Sequence, residues 1–144
     1  MADGQIVLGA VEEDGLPVIW RYVDRSPTAE ERERTPWLTV ISWSYDREVR
    51  NGMPPEDVNE QMIGLEDAID DGVVAEGTCY ALSSRTGNGL KELNYYIDER
   101  DAFLERINVA LAGNPRYPIE ITFYHDPEWQ ELQLTRAKFE AAGS

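Results

Sequence analysis

His125 is the single histidine of the chain, with Asp126 beside it and Glu128 three residues on. Imidazole and carboxylates at this spacing are the materials of a metal site or of acid-base catalysis. A metal needs three or four converging ligands of defined geometry, and a catalytic base needs a nucleophile or partner acid to act on. The stretch supplies neither, so His125 reads as a strand-end residue next to a helix cap. Ser42, Ser44, Ser83 and Ser84 lack a G-x-S-x-G context, and Cys79, in an alternating run of small residues, reads as a packed core thiol. Gly87-Asn88-Gly89 lacks the Lys-Ser/Thr of a phosphate loop and opens onto no helix, which leaves a hairpin turn. Asp67-Ala68-Ile69-Asp70-Asp71-Gly72 echoes a calcium loop only superficially, because such loops wrap backbone around the ion with ligands at alternate positions. No catalytic residue, metal ligand or cofactor is assigned.

Two surfaces remain for recognition. Glu60, Asp67 and Asp70 form an acidic strip on the first long helix, either a solvated face or a docking strip for Lys and Arg. Trp43, Tyr45, Tyr80, Tyr96 and Tyr124 fall on strands that should be neighbours. If Trp43, Tyr96 and Tyr124 share a helix-free face they form a contact surface; otherwise an N-terminal hairpin or a second copy buries them. An RNA platform needs basic flanks, and a formal net charge of -15 repels phosphate backbones and anionic lipid. The expected partner is another protein with a basic surface, not nucleic acid or a membrane, and the oligomeric state is open. The competing class is an enzyme or small-ligand binder with a pocket between sheet and hairpin, lined by Tyr96, Tyr124, His125 and Arg85.

The elements that must position these residues follow from periodicity. Ile6 to Val11 and Leu16 to Val23 are β-rich runs around Glu12-Glu13-Asp14-Gly15, a hairpin. Residues 25–36 form a polar connector with room for a turn or two of solvated helix. Trp37 to Tyr45 alternates with bulk on both faces, so it is a central strand. Pro54-Pro55-Glu56-Asp57 starts a helix to about Asp70, with Val58, Met62, Leu65 and Ile69 as its stripe and Glu56, Asp57, Glu60, Glu66, Asp67 and Asp70 broadly opposite. Val73 to Leu82 reads as a strand, Arg85 to Gly89 as a turn, and Leu90 to Ile97 as the antiparallel partner. A second helix starts near Asp98 to Asp101 and sends Phe103, Leu104, Ile107 and Leu111 inward. Ile119, Ile121 and Phe123 alternate with Glu120, Thr122 and Tyr124 in the last strand. Asp126-Pro127-Glu128-Trp129 then acts as a structural lock: Asp126 caps, Pro127 takes the first turn, and Trp129 folds back onto apolar surface before a C-terminal helical segment running to about Ala141.

This order predicts an α+β fold of the ferredoxin-like class: a split βαββαβ antiparallel sheet with two helices on one face, plus an N-terminal β-hairpin and a C-terminal helical segment. It is a single domain, divided into the hairpin 1–24, connector 25–36, core 37–125 and tail 126–144; 144 residues suffice for one core. With 42% hydrophobic and 28% charged residues, the composition is that of a soluble globular protein. No apolar run approaches the roughly 20 residues of a spanning helix. Met1 to Ala10 lacks a basic n-region, and the lone Cys79 excludes an intrachain disulfide, so a cytoplasmic protein is expected.

Asn51-Gly52-Met53-Pro54, Leu65-Glu66-Asp67, Leu93-Asn94-Tyr95-Tyr96 and Asp126-Pro127-Glu128-Trp129, in that order, resemble the bacterial family called domain of unknown function 695 over roughly Leu16 to Leu132. The chain has Asn94 and Tyr95 where many members carry an aromatic residue or Arg before the strand tyrosine. The resemblance implies the fold and assigns no activity. A more distant likeness, of fold order and acidity, is to the regulator of ribonuclease E activity B, which works by binding an enzyme; that likeness implies a regulatory binding role.

Overall fold

The computed structural model describes residues 5–24, 27–48, 50–73 and 79–142. Strands β1 (Gln5–Glu13) and β2 (Leu16–Asp24) form the first hairpin. Its turn residues Asp14 and Gly15 have φ of 53° and 79°, the left-handed pair a tight type I′ connection requires. Helix α1 (Ala29–Arg34) is a short solvated helix set by a reciprocal cap: the Glu31 amide donates to the Thr28 hydroxyl and the Thr28 amide to the Glu31 carboxylate. Strand β3 (Trp37–Ser44) leads to α2 (Glu56–Gly72), whose first turn carries Glu56 and Asp57 at the positive end of the helix dipole. Strands β4 (Cys79–Gly87) and β5 (Leu90–Ile97) form the second hairpin around Asn88-Gly89. Helix α3 (Arg100–Ala110) starts at Glu99, whose carboxylate accepts from the Asp101 and Ala102 amides. Strand β6 (Ile119–His125) and helix α4 (Gln130–Ala142) complete the chain.

All six strands join one antiparallel sheet in the order β1-β2-β4-β5-β3-β6. The N-terminal hairpin therefore extends the sheet at β4 and covers neither face. Alternation along β3 splits the apolar residues into two layers. Ile41 and Trp43 join Leu93, Tyr95 and Ile97 of β5 under α2 and α3, where Met62, Leu65, Ile69, Phe103 and Ile107 complete the larger core. Leu38 faces the other way with Tyr22, Leu82 and Tyr96, beneath Trp129 and Leu132 at the start of α4. The face expected to be free of helices thus carries α4.

Several boundaries differ from the sequence reading, each for a local reason. Strand β4 begins at Cys79 and runs to Gly87, whereas the sequence suggested Val73 to Leu82. Val73 instead ends α2, its amide donating to Ile69 O, and residues 74–78 lie outside the described ones. Ser83 to Thr86 continue the strand because β2 pairs with them. Leu104 is exposed: Phe103 and Ile107, four apart, define the buried stripe of α3, and Leu104 lies about 100° round the helix. Glu66 leaves the outer face of α2 and reaches sideways to Lys91 Nζ (2.6 Å) and Arg21 (3.8 Å). Helix α4 begins three residues after Pro127, because Asp126 to Trp129 close a turn through the Trp129 amide and Asp126 O (3.0 Å).

Candidate functional site

Polar and apolar side chains converge at a cleft of about 450 Å³ between α4 and the β6 side of the sheet. Helix α4 leaves β6, crosses β5 at Trp129 and ends its described contacts over β2, where Lys138 Nζ lies 4.2 Å from the Trp20 ring centroid and Arg136 Nε meets Asp24 at 2.6 Å. Trp129 and Leu132 cover Leu38, and that diagonal leaves the α4 side of Val40 and of β6 open. Trp20 of β2, Leu38 and Val40 of β3 and Leu134 of α4 give the cleft its apolar lining; Glu92 and Asn94 of β5 and Gln130 and Glu131 of α4 supply polar groups. Tyr124 and Asp126 close its β6 end.

Asp126 organises that end without being free for chemistry. Its Oδ1 accepts the Gln130 amide (2.8 Å), and its Oδ2 accepts the Glu131 amide (3.1 Å) and the Tyr96 hydroxyl (2.7 Å). Burial first, and then the hydrogen bond to this carboxylate, raise the Tyr96 pKa, so the phenol stays protonated. Trp129 stacks on Tyr96 with centroids 4.1 Å apart and planes at 3°, and its Nε1 donates to Thr35 O (3.0 Å). One turn thereby ties β5, β6, α4 and the end of α1 together. Glu131 has a raised pKa through burial first; Lys138 opposes the shift, while the negative charges of Asp126 and Glu92 reinforce it. The described lining of the cleft contains no Lys or Arg, and Lys138 stands at its edge on the Trp20 ring.

The residues singled out from the sequence are distributed differently. Tyr124, 53% exposed, is at the cleft. Tyr96, fully buried, lies beneath Trp129, and Trp43, 3% exposed, is on the opposite face under α2 and α3. Alternation separates them: Trp43 shares the face of Ile41, whereas Tyr96 shares that of Leu38. Glu60, Asp67 and Asp70 are all exposed on α2. Asp70 stands at a crevice of about 20 Å³ against Arg21 and Tyr95, too small for more than about one water. Burial there, and then the like charge of Glu66, raise its pKa. His125 reaches the lip of the cleft while its ring packs on Trp37 at 4.9 Å. Arg85 lies apart from Tyr124 and His125, its guanidinium donating to Gly87 O (2.9 Å) and pairing with Glu13 (3.3 Å). The four polar residues proposed to line a pocket between sheet and hairpin do not meet in one. Cys79 is buried, which pushes its thiol up to about 12 and leaves it unreactive. Among the described residues no three His, Cys, Asp or Glu side chains converge as metal ligands, and no helix is long and apolar enough to cross a membrane.

Glu92, Asn94 and Glu131 escaped the sequence reading. The period of β5 does place Glu92 and Asn94 on the face of Tyr96, but their role depends on α4 returning over that face, and no local pattern announces a long-range contact. A model of the family of unknown function DUF695 matches residues 10–133. No curated protein and no solved structure matches the chain.

Proposed function

The chain belongs to the DUF695 family, whose function is unknown, and we propose that it is a small acidic binding module without catalysis of its own, taking a Lys- or Arg-bearing segment of another protein into the α4 cleft. The carrying observation is that Glu92, Asp126 and Glu131 share one cleft whose described lining holds no Lys or Arg, while Lys138, the cation that acts on Glu131, is held on the Trp20 ring at the cleft's edge. An incoming cation would ease the like-charge repulsion there, and its aliphatic stem would cover Val40 and Leu134. The exposed acids Glu60 and Asp67 of α2 supply long-range steering. Trp43 and Tyr96, being buried, contribute through the fold. A cytoplasmic setting belongs to the same proposal and rests on the lone, buried Cys79.

We also assign the unit β3-α2-β4-β5-α3-β6 to the ferredoxin-like class. Its support is the strand order β4-β5-β3-β6 with both crossover helices on one face, β1 and β2 being added at the β4 edge.

Titration of isotope-labelled protein with an acetylated peptide of alternating Lys and Val, followed by backbone amide shifts, tests the binding proposal. Shifts centred on Leu38, Glu92, Asn94 and Glu131, abolished by Glu92→Gln with Glu131→Gln, are expected. Shifts confined to α2 and removed by Glu60→Gln, Asp67→Asn and Asp70→Asn would move the interface there, and no shifts at low salt would end the proposal.

A further inference from the structure

The two edges of the sheet are built differently. Strand β6 has seven residues, carries Glu120 near its start, and is flanked by Pro118 and Pro127. Strand β1 has nine, pairs with β2 in an uninterrupted register from Gln5↔Asp24 to Glu13↔Leu16, and contains no charge or proline before Glu12. Natural edge strands are usually protected by inward charges, proline or a bulge, since an unpaired row of amides and carbonyls templates another strand. Strand β1 has none of these over residues 5–11. Its Ile6 and Leu8 are 63% and 70% exposed, and Ile19 of β2, on the same face, is 51% exposed.

We propose that the outer edge of β1 pairs antiparallel with β1 of a second copy of this chain, joining two six-stranded sheets into one. The charge pattern selects this occupant. Residues 5–11 offer no carboxylate to a basic strand, and Arg21 of β2, opposite Leu8 on the same face, would repel one. That arginine already has Glu66 at 3.8 Å, and the net charge of -15 repels an acidic strand. The edge accepts an uncharged apolar strand, which is what β1 itself is. In the antiparallel register centred on Leu8, that residue meets its own mate, Ile6 meets Ala10, and Gln5 meets Val11. The overlap then coincides with the uncharged stretch and leaves Glu12 and Glu13 of each copy beyond it. A parallel pairing would set the acids of the two copies side by side. A two-fold axis normal to the sheet keeps Ile6 and Leu8 of both copies on one face as an apolar strip bordered by Ile19 and Arg21 of each β2, and it closes the assembly at two copies because β6 is a guarded edge.

Ionic strength separates this contact from binding of a basic partner. Two chains of -15 repel, so salt must strengthen the dimer, whereas it weakens association with a cationic segment. Sedimentation of the whole protein should show a concentration-dependent dimer that is favoured in about 500 mM over about 50 mM NaCl. Leu8→Lys should weaken it by about tenfold or more while leaving the circular dichroism of the parent. Directly opposed strand residues lie within disulfide reach, so Leu8→Cys should cross-link under mild oxidation while Ile19→Cys, one strand inside the edge, should not. The buried Cys79 does not compete. A parent that is monomeric in both salts up to about 0.5 mM would overturn the proposal, as would a dimer undiminished in folded Leu8→Lys. Equal cross-linking of the Ile19→Cys variant would assign the contact to face packing and overturn the edge geometry. Should Leu8→Lys unfold, the cross-linking pair decides.

Discussion

Trp129 carries an unusual local cost for its place in the molecule. Its φ of 54° lies in the left-handed region, where a bulky side chain costs about 1–3 kcal/mol and persists only when the surroundings over-determine it. The Tyr96 stack, the Nε1 bond to Thr35 O and burial to 3% exposure do so. Trp129→Ala should therefore lose about 3–5 kcal/mol in urea unfolding. Trp129→Phe keeps a ring over Tyr96 but leaves the Thr35 carbonyl unpaired, and should lose about 1–3 kcal/mol. A Trp129→Phe variant as stable as the parent would deny the carbonyl any part in the lock. Glu131, two residues further, works in the opposite direction. Burial raises its folded pKa above the unfolded value, so the folded state holds its proton more tightly. Stability falls as pH climbs from the unfolded pKa through the raised folded one, and the penalty is complete above that window. Glu131→Gln should accordingly raise the urea midpoint at neutral pH, with the gain vanishing in acid. A variant less stable than the parent at pH 7 would show that the attraction to Lys138 outweighs burial.

At the scale of elements, α2 and α3 show how a helix chooses its face. Leu65, 2% exposed, lies in the stripe of Met62 and Ile69 against the sheet. Leu104 borders solvent although it neighbours the buried Phe103. Leu65→Ala should cost about 2–5 kcal/mol and Leu104→Ala under about 1 kcal/mol. Similar values from chemical denaturation would mean that the α3 stripe is misassigned. The periods of two and 3.6 made most elements legible in the sequence, including β5 to the residue, because local patterning and burial agree there. Strand β4 was displaced because Val73 is apolar enough to read as strand, while pairing with β2 is what makes polar Ser83 to Thr86 a strand. The acid strip of α2 was legible; the cleft was not. Glu92, Asn94 and Glu131 meet only because Trp129 reverses the chain and sends α4 over the second face, a tertiary event that depends on the Tyr96 stack.

Across the whole molecule, 28 acids face 13 Lys and Arg, so pairing cannot neutralise more than 13 of them. Several of those bases are committed: Arg21 and Lys91 to Glu66, Arg85 to Glu13, Arg106 to Asp98 and Arg136 to Asp24. Salt has two opposed effects on such a chain. It weakens ion pairs, which when exposed are worth about 0–1 kcal/mol each, and it screens the self-repulsion of the unpaired carboxylates. The tight pairs are the less sensitive of the two, because Lys91 and Arg106 hold partly buried carboxylates at 2.6 and 2.9 Å, well inside a Debye length of about 8 Å at physiological ionic strength. Unpaired acids such as Glu60 and Asp67 are exposed, where salt screens their repulsion more fully than it screens a partly buried pair. Relief of repulsion should therefore prevail, and the urea midpoint should rise from about 20 mM to about 300 mM NaCl at neutral pH, measured at a protein concentration low enough to keep the chain monomeric. The rise should shrink near pH 4, where protonation removes much of the repulsion before salt can screen it. A midpoint that falls with salt would mean that the ion pairs between α2, β2 and β5 outweigh the repulsion among the remaining acids.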